Sequence, residues 1–236
     1  MIISWNVRGL NKSGKTREIS SRLLDLNPAI IVLIETRVKR NKTQTIRDKL
    51  KLRGSYLDNY GKHENSRIWV YWDENKVDIE HVCITDQLIH YKICDNTGNV
   101  LNWLTAIYAQ NQLDMRRKLW QDIETIHYQQ HGQWMLIGDF NNVLKVEDIT
   151  EGTMVNEKEY IDLTSMMSAT ELYEMESTGD YFTWSNKQGE NAIHYRIDKV
   201  LGNVEWMQKN VDIVLTNMTP SVTDHAMLVL KEQENT

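Results

Sequence analysis

The chain has 236 residues, 41% hydrophobic and 25% charged, which fits a globular protein and excludes fibrous and disordered classes. Two prolines and 11 glycines exclude a collagenous or linker-rich chain, and the longest apolar run, residues 29–34, is far too short to span a bilayer. The formal net charge of −6 argues against a general nucleic-acid binder, yet residues 1–62 hold 14 Lys+Arg against 5 Asp+Glu, while the remainder holds 13 against 28.

In chain order, Ile2 to Val7 reads as a first strand. Lys15 to Leu26 has helical spacing through Ile19, Leu23 and Leu26, and Asn27-Pro28 stops it. Ala29 to Ile34 is continuously apolar, as expected of a strand buried on both faces, and it delivers Glu35-Thr36-Arg37 at its far end. Thr43 to Leu52 reads as a second helix. Ile68 to Trp72 and Val77 to Ile84 read as strands joined by a turn at Asp73-Glu74-Asn75. Gln87 to Cys94 and Val100 to Tyr108 form another pair around Asp95 to Asn99. A helix over Asp114 to His127 follows, then a short buried strand from Trp134 to Ile137 that ends at Gly138, where the backbone can turn.

Lys145 to Asp180 holds 10 acids and 2 bases and includes a helix from Glu157 to Ala169. Tyr181 to Ser185 and Ile193 to Val200 read as a hairpin around Lys187-Gln188-Gly189. A helical turn at Val204 to Gln208 and strands at Val211 to Leu215 and Ala226 to Leu230 complete the chain. No repeat or linker divides it, so one domain over residues 1–236 is expected. Strand pairs mixed with helices favour an α/β fold of two packed sheets with helices outside. Cys83 and Cys94 fit reduced thiols. With no signal-peptide pattern, an intracellular protein, nuclear or cytoplasmic and away from membranes, is expected.

The chemistry gathers at strand ends. Asn6, Glu35, Asp139 with Asn141, and Asp224 with His225 each follow or flank an apolar strand. Tyr108 ends another strand, and Asp198 sits in Arg196-Ile197-Asp198. Singly, each has an ordinary explanation: a solvated carboxylate, a turn former, a surface ion pair or a packed ring. Together they supply hard oxygen ligands suited to Mg²⁺ or Mn²⁺, with a histidine beside acids for proton transfer or charge stabilisation. Metal-assisted phosphoester hydrolysis needs such a set.

The segments Ser4 to Leu10, Ile34-Glu35-Thr36, Ile107-Tyr108-Ala109, Gly138-Asp139-Phe140-Asn141, Arg196-Ile197-Asp198 and Thr223-Asp224-His225 resemble the endonuclease/exonuclease/phosphatase superfamily over nearly the whole chain. Trp5 to Leu10, Arg67 to Val70, Gly138 to Leu144 and Phe182 to Asn186 more narrowly resemble the apurinic-endonuclease-like domain of plant LINE-type (non-LTR) retrotransposons. That resemblance implies a DNase I-like four-layer α/β sandwich of two mixed sheets flanked by helices. It implies a Mg²⁺-dependent nick in double-stranded DNA, leaving a 3′-hydroxyl and a 5′-phosphate, by a monomeric domain that usually precedes a reverse transcriptase. It makes Glu35 the principal metal ligand, with Asn6 and Asp224 nearby. Asp139 orients or deprotonates water, Asn141 and Tyr108 hold phosphate, and His225 stabilises the transition state with its ring oriented by Asp198. Both Asp139 and the His225–Asp198 pair are candidates for the water's proton. Arg8, Arg37, Lys39, Arg40, Trp184, Asn186 and Arg196 are expected to contact DNA, the last three in or beside the family's DNA-contacting hairpin, Tyr181 to Arg196. Thr223 departs from the commoner Ser but keeps the hydroxyl, and the low pI, about 5.7, is a second departure. Competing readings are an abasic-site repair nuclease, a phosphoinositide or other small-phosphoester phosphatase, and an inactive DNA-binding relic.

Overall fold

The computed structural model describes residues 1–62, 64, 67–150, 158–188 and 192–233. Its first half runs β1 (Ile2–Asn6), α1 (Ser13–Leu26), β2 (Ile30–Ile34), α2 (Thr43–Leu50), β3 (Ser55–Asp58), β4 (Ile68–Trp72), β5 (Asp78–Ile84), β6 (Leu88–Cys94), β7 (Val100–Tyr108) and α3 (Leu113–Gln129). The second half runs β8 (Trp134–Asp139), β9 (Ile149–Thr150), α4 (Lys158–Ala169), β10 (Leu172–Glu174), β11 (Ser177–Gly179), β12 (Trp184–Ser185), β13 (His194–Tyr195), β14 (Asp198–Asn203), α5 (Val204–Lys209), β15 (Ile213–Met218) and β16 (Met227–Glu232).

The strands form two large mixed sheets. One has the order β11-β15-β16-β1-β2-β4-β3 and the other β10-β14-β8-β7-β6-β5, with a small sheet β12-β13-β9 beside them. Period-2 alternation explains the layers. On β2, Ile30, Val32 and Ile34 face the opposite sheet, where they meet Tyr91, Leu104 and Ile137. Ile31 and Leu33 face outward onto Ile19 and Leu23 of α1 and Ile46 and Leu50 of α2. On the far side, Leu119 and Ile123 of α3 and Leu163 and Met166 of α4 cover Trp134 and Leu136. The result is the expected DNase I-like four-layer sandwich, and β2 is apolar throughout because both its faces are covered. Among the described residues no helix is long and apolar enough to cross a membrane.

Local chemistry fixes the element ends. Helix α1 stops at Asn27, whose left-handed backbone (φ 46°) returns its N–H to the Leu23 carbonyl. The Asn203 side chain caps α5 by accepting from the Trp206 N–H.

Three expectations change. The Asp73 to Asn75 turn does not close a hairpin, because β4 and β5 belong to different sheets. Strand β8 passes through Gly138 to Asp139, and at Gly138 (φ +146°) a Cβ would fall 2.1 Å from the Ile107 carbonyl oxygen. The segment Ile193 to Val200 is two strands: β13 in the small sheet and β14 in the large one. The hairpin is therefore a two-residue stub in which Trp184 opposes Tyr195. Its expected turn residue Gly189, and Glu157 at the expected start of α4, lie outside the described residues.

Candidate active site

Register builds the site. Tyr108 at the end of β7 opposes Asp139 at the end of β8, and Asp139 in turn opposes Asp198 on β14. Three site residues thus form one row across the edge of one sheet. The other sheet contributes Asn6 at the end of β1, Glu35 just past β2 and His225 just before β16. Two buried hydrogen bonds join the rows. Asn6 Nδ2 donates to Asp139 Oδ2 at 2.8 Å, and His225 Nδ1 lies 2.9 Å from Asp198 Oδ2. Ligating atoms of Asp139, Asp198 and His225 lie within 4.8 Å of one another.

The loops hold this rim in unusual backbone. Arg8, Glu35, Arg37 and Asn141 all adopt left-handed φ between 42° and 56°. Such residues are disfavoured by about 1 kcal/mol or more each, and concentrations of them mark functional sites. The Glu35 kink is fixed by its carbonyl, which accepts from the Gly9 N–H at 2.8 Å. Asn141 is fixed twice: its N–H donates to Asp139 Oδ1 and its Nδ2 to the Ala109 carbonyl. Thr223 Oγ1 donates to the Asn6 carbonyl and accepts from the His225 N–H, so one hydroxyl ties the β1 and β16 contributions of the second sheet together.

A cleft of about 430 Å³ opens over the row, lined by Glu35, Tyr108, Asp139, Asn141, Trp184 and His225 among others. Asp139 is 1% exposed. Burial and the adjacent Asp198 carboxylate push its pKa up to about 7, against the opposing pull of His225. Burial alone would weaken the His225 ring as a base, but Asp198, Asp139 and Glu35 more than offset it, so its pKa is raised. Burial, with the Glu35 and Asp139 charges, raises the Tyr108 phenol, which therefore stays a hydroxyl donor.

The expected ligand set divides. Glu35 is 5% exposed and is paired with the Arg37 guanidinium, a cation already standing at the carboxylate. With the hard oxygens of Asp139 in the same cleft, this donor set fits a divalent cation. Asn6 instead spends its amide on Asp139 and accepts the Arg8 N–H on Oδ1. The Asp224 carboxylate is engaged by Arg8 and by Trp184 Nε1. Its place in the structure is to steady the hairpin stub rather than to face the cleft.

The expected nucleic-acid contacts divide likewise. Arg8, Arg37, Lys39 and Arg40 are exposed, and Trp184 lines the cleft beside the His225 ring. Arg196 contradicts its expected contact. It is 6% exposed, and its guanidinium is consumed by Glu174, Ser177 Oγ and the Tyr181 carbonyl. Asn186 is likewise internal to the stub, where its Oδ1 accepts from the Gln188 and Ile193 N–H groups. Sequence reasoning missed Thr183, whose Oγ1 accepts from the N–H groups of Ile197 and Asp198 and so pins the catalytic strand. It also missed the buried Asp148–Lys199 pair behind Asp198. Neither carries a local signal, since their partners are 14 to 51 residues away.

Two sheets meeting at a rim of carboxylates, an imidazole and a phenol define a hydrolytic phosphoesterase site. The endonuclease/exonuclease/phosphatase family matches residues 3–225, and the chain belongs to that family, whose members are divalent-metal-dependent phosphoesterases. No curated protein matches the sequence. Among solved structures, the chain is similar to the endonuclease domain of TRAS1, a telomere-specific non-LTR retrotransposon (TM-score 0.71, 14% identity, 100% of this chain and 99% of that one). It is also similar to an AP endonuclease from Leishmania major (0.72, 13%, 99% and 87%). A third is a 3′ phosphatase from Neisseria bound to a product DNA hairpin (0.74, 15%, 98% and 98%). At these identities the likenesses establish the shared fold.

Proposed function

We propose that the protein is a Mg²⁺-dependent DNA endonuclease, with Mn²⁺ able to substitute. It hydrolyses a phosphodiester to a 3′-hydroxyl and a 5′-phosphate and nicks target DNA to prime reverse transcription of a retrotransposon. The observation that carries the reading is the Asp139–Asp198–His225 cluster beneath an open cleft, with an acid tuned near neutrality. Likeness to the TRAS1 domain supports the retrotransposon role.

In this reading Asp139 Oδ1 and Oδ2, steadied by the Asn141 N–H and Asn6 Nδ2, orient the attacking water and take its proton. The water oxygen bonds to phosphorus as the bond to the 3′ oxygen breaks, and that oxygen leaves as a hydroxyl by taking a proton from solvent in the open cleft. With Nδ1 facing Asp198, the ring of His225 presents Nε2 to the cleft, where it donates to a phosphoryl oxygen. Tyr108 Oη holds a second oxygen, and the Asn141 carboxamide positions the diester. Glu35, with Asp139 beside it, would hold a divalent cation, which supplies charge neutralisation at the phosphoryl group.

A supercoiled plasmid tests the reading. Mg²⁺ should convert it to the nicked circle with ligatable ends, and EDTA should prevent this. A plasmid that stays supercoiled while a small phosphomonoester is hydrolysed would make the protein a phosphatase instead.

A further inference from the structure

Beside the catalytic cleft lies a second hollow of about 710 Å³ that the reaction above does not use. It is lined by Asn11, Arg37, Lys39, Lys42, Lys49 and Arg67, with Thr45 and Ile46. The helical period explains it: residues 42, 45, 46 and 49 share one face of the turn leading into α2 and of α2 itself. Ile46 is buried, while Lys42, Thr45 and Lys49 are exposed. No acidic side chain among the described residues lines the hollow. Among the described residues, Glu35 alone forms an ion pair with a lining cation, Arg37, and Glu35 belongs to the cleft.

The hollow and the cleft adjoin at one side chain. Arg37 lines both. The half-buried Arg67 lines the hollow and sets its guanidinium 5.7 Å from the centroid of the Tyr108 ring, which lines the cleft. Arg67 Nε is buried without a hydrogen-bond partner among the described residues. Converging cations with one counter-charge among them repel one another, and an anion relieves that repulsion. Among the described residues the rim offers ammonium, guanidinium and amide donors but no exposed apolar side chain, so it suits a chain of phosphates better than a lipid surface.

We infer that this trough is a polynucleotide subsite: it takes backbone phosphates of the strand that runs out of the catalytic cleft. It fixes the register of the duplex without reading bases, and it makes a long phosphodiester chain the preferred substrate over a small phosphoester. The inference rests on the reading of the cleft as a DNA phosphodiesterase.

Binding separates the two claims. Anisotropy of a fluorescent 20-bp duplex in EDTA reports affinity without cleavage. Wild type is compared with Lys42→Ala/Lys49→Ala and with Lys118→Ala/Lys209→Ala. The second pair removes the same charge from α3 and α5, away from the α1–α2 layer. The trough pair should weaken binding about 10-fold near 0.1 M salt and should flatten the log–log salt slope by about 1.8, the value for two phosphate contacts. The control pair should do neither, and all three proteins should melt alike. Equal shifts for both pairs, no shift for either, failure of wild type to bind duplex at low salt, or stronger binding to phosphatidylserine vesicles than to duplex would each overturn the inference. If the trough pair alone loses affinity yet wild type does not nick plasmid with Mg²⁺, the trough stands and the nuclease reading falls.

Discussion

Two clusters of buried charge sit back to back on β14, and they are balanced in opposite ways. On one side Asp198 joins Asp139 and His225, two carboxylates against one imidazole. On the other, Lys199 meets Asp148 and Glu174, and Arg196 meets Glu174 as well, so two acids face two bases. In the second cluster the Asp148 carboxylate accepts from the Leu144 N–H, the Tyr181 hydroxyl and Lys199 Nζ. Burial pushes the Asp148 pKa upward, but Lys199 and these donors outweigh it and leave the carboxyl below its ordinary value. In the first cluster burial, together with the adjacent Asp198 carboxylate, leaves the Asp139 pKa near neutrality. A satisfied buried network rigidifies a fold, whereas an unbalanced one is the mark of a group kept ready to exchange a proton. Adjacent residues on one strand serve the two purposes because their side chains leave opposite faces.

The largest test of that contrast breaks the balanced cluster. Asp148→Ala takes the carboxylate from a fully buried Lys199 and from two further donors, so it should cost about 3–5 kcal/mol in chemical denaturation. Asp148→Leu combined with Lys199→Met should recover much of that loss, since the isolated charge is then gone as well.

The unbalanced cluster should answer in the other direction. Asp139→Asn should lower the nicking rate about 10²- to 10⁴-fold, the usual worth of a general base. In EDTA at pH 8 it should raise stability. The Asp139 pKa is about 7 in the fold against 3.8 for the free side chain. The folded state therefore binds the proton more tightly, and its stability falls as pH rises from about 4 through 7. The raised pKa of His225 acts with the same sign, its contribution being lost above its ordinary 6.5. Wild type should accordingly melt at lower temperature at pH 8 than at pH 5 in EDTA, and Asp139→Asn should narrow that gap. A variant no more stable than wild type at pH 8 would mean that the carboxylate is not strained.

The same contrast explains what was legible in sequence. Asn6, Glu35, Tyr108, Asp139 and His225 could be read because each polar residue follows, closes or immediately precedes an apolar strand, a local pattern. The balanced cluster could not, because Asp148 lies in an acidic stretch that looks solvated and its partners arrive from Glu174, Tyr181 and Lys199. Arg196 was misassigned to DNA for that reason: next to a hairpin, nothing local shows that its guanidinium is already consumed. Strands β9 to β11 were invisible, and β13 was merged with β14, because two or three residues carry no period and their pairing is set by distant segments.

The smallest expected effect is the sharpest test, because it changes charge at the junction of the two clusters with hardly any change of shape. Asp198→Asn keeps the backbone bonds to Thr183 Oγ1, and the new carboxamide oxygen can still accept from His225 Nδ1–H. What disappears is one negative charge 2.9 Å from the ring. Two consequences oppose each other at Asp139. Removing Asp198 takes away a repulsion that raises the Asp139 pKa, while the imidazole it supported loses protons more readily. The His225 pKa, followed by its ring resonances in an NMR titration, should fall, and nicking should drop about 10- to 100-fold through the smaller protonated fraction. The deficit should shrink toward acid pH, where the ring is protonated in both proteins. A deficit independent of pH, with an unshifted His225 titration, would make Asp198 a structural partner of Thr183 alone and place the active charge balance between Asp139 and Glu35.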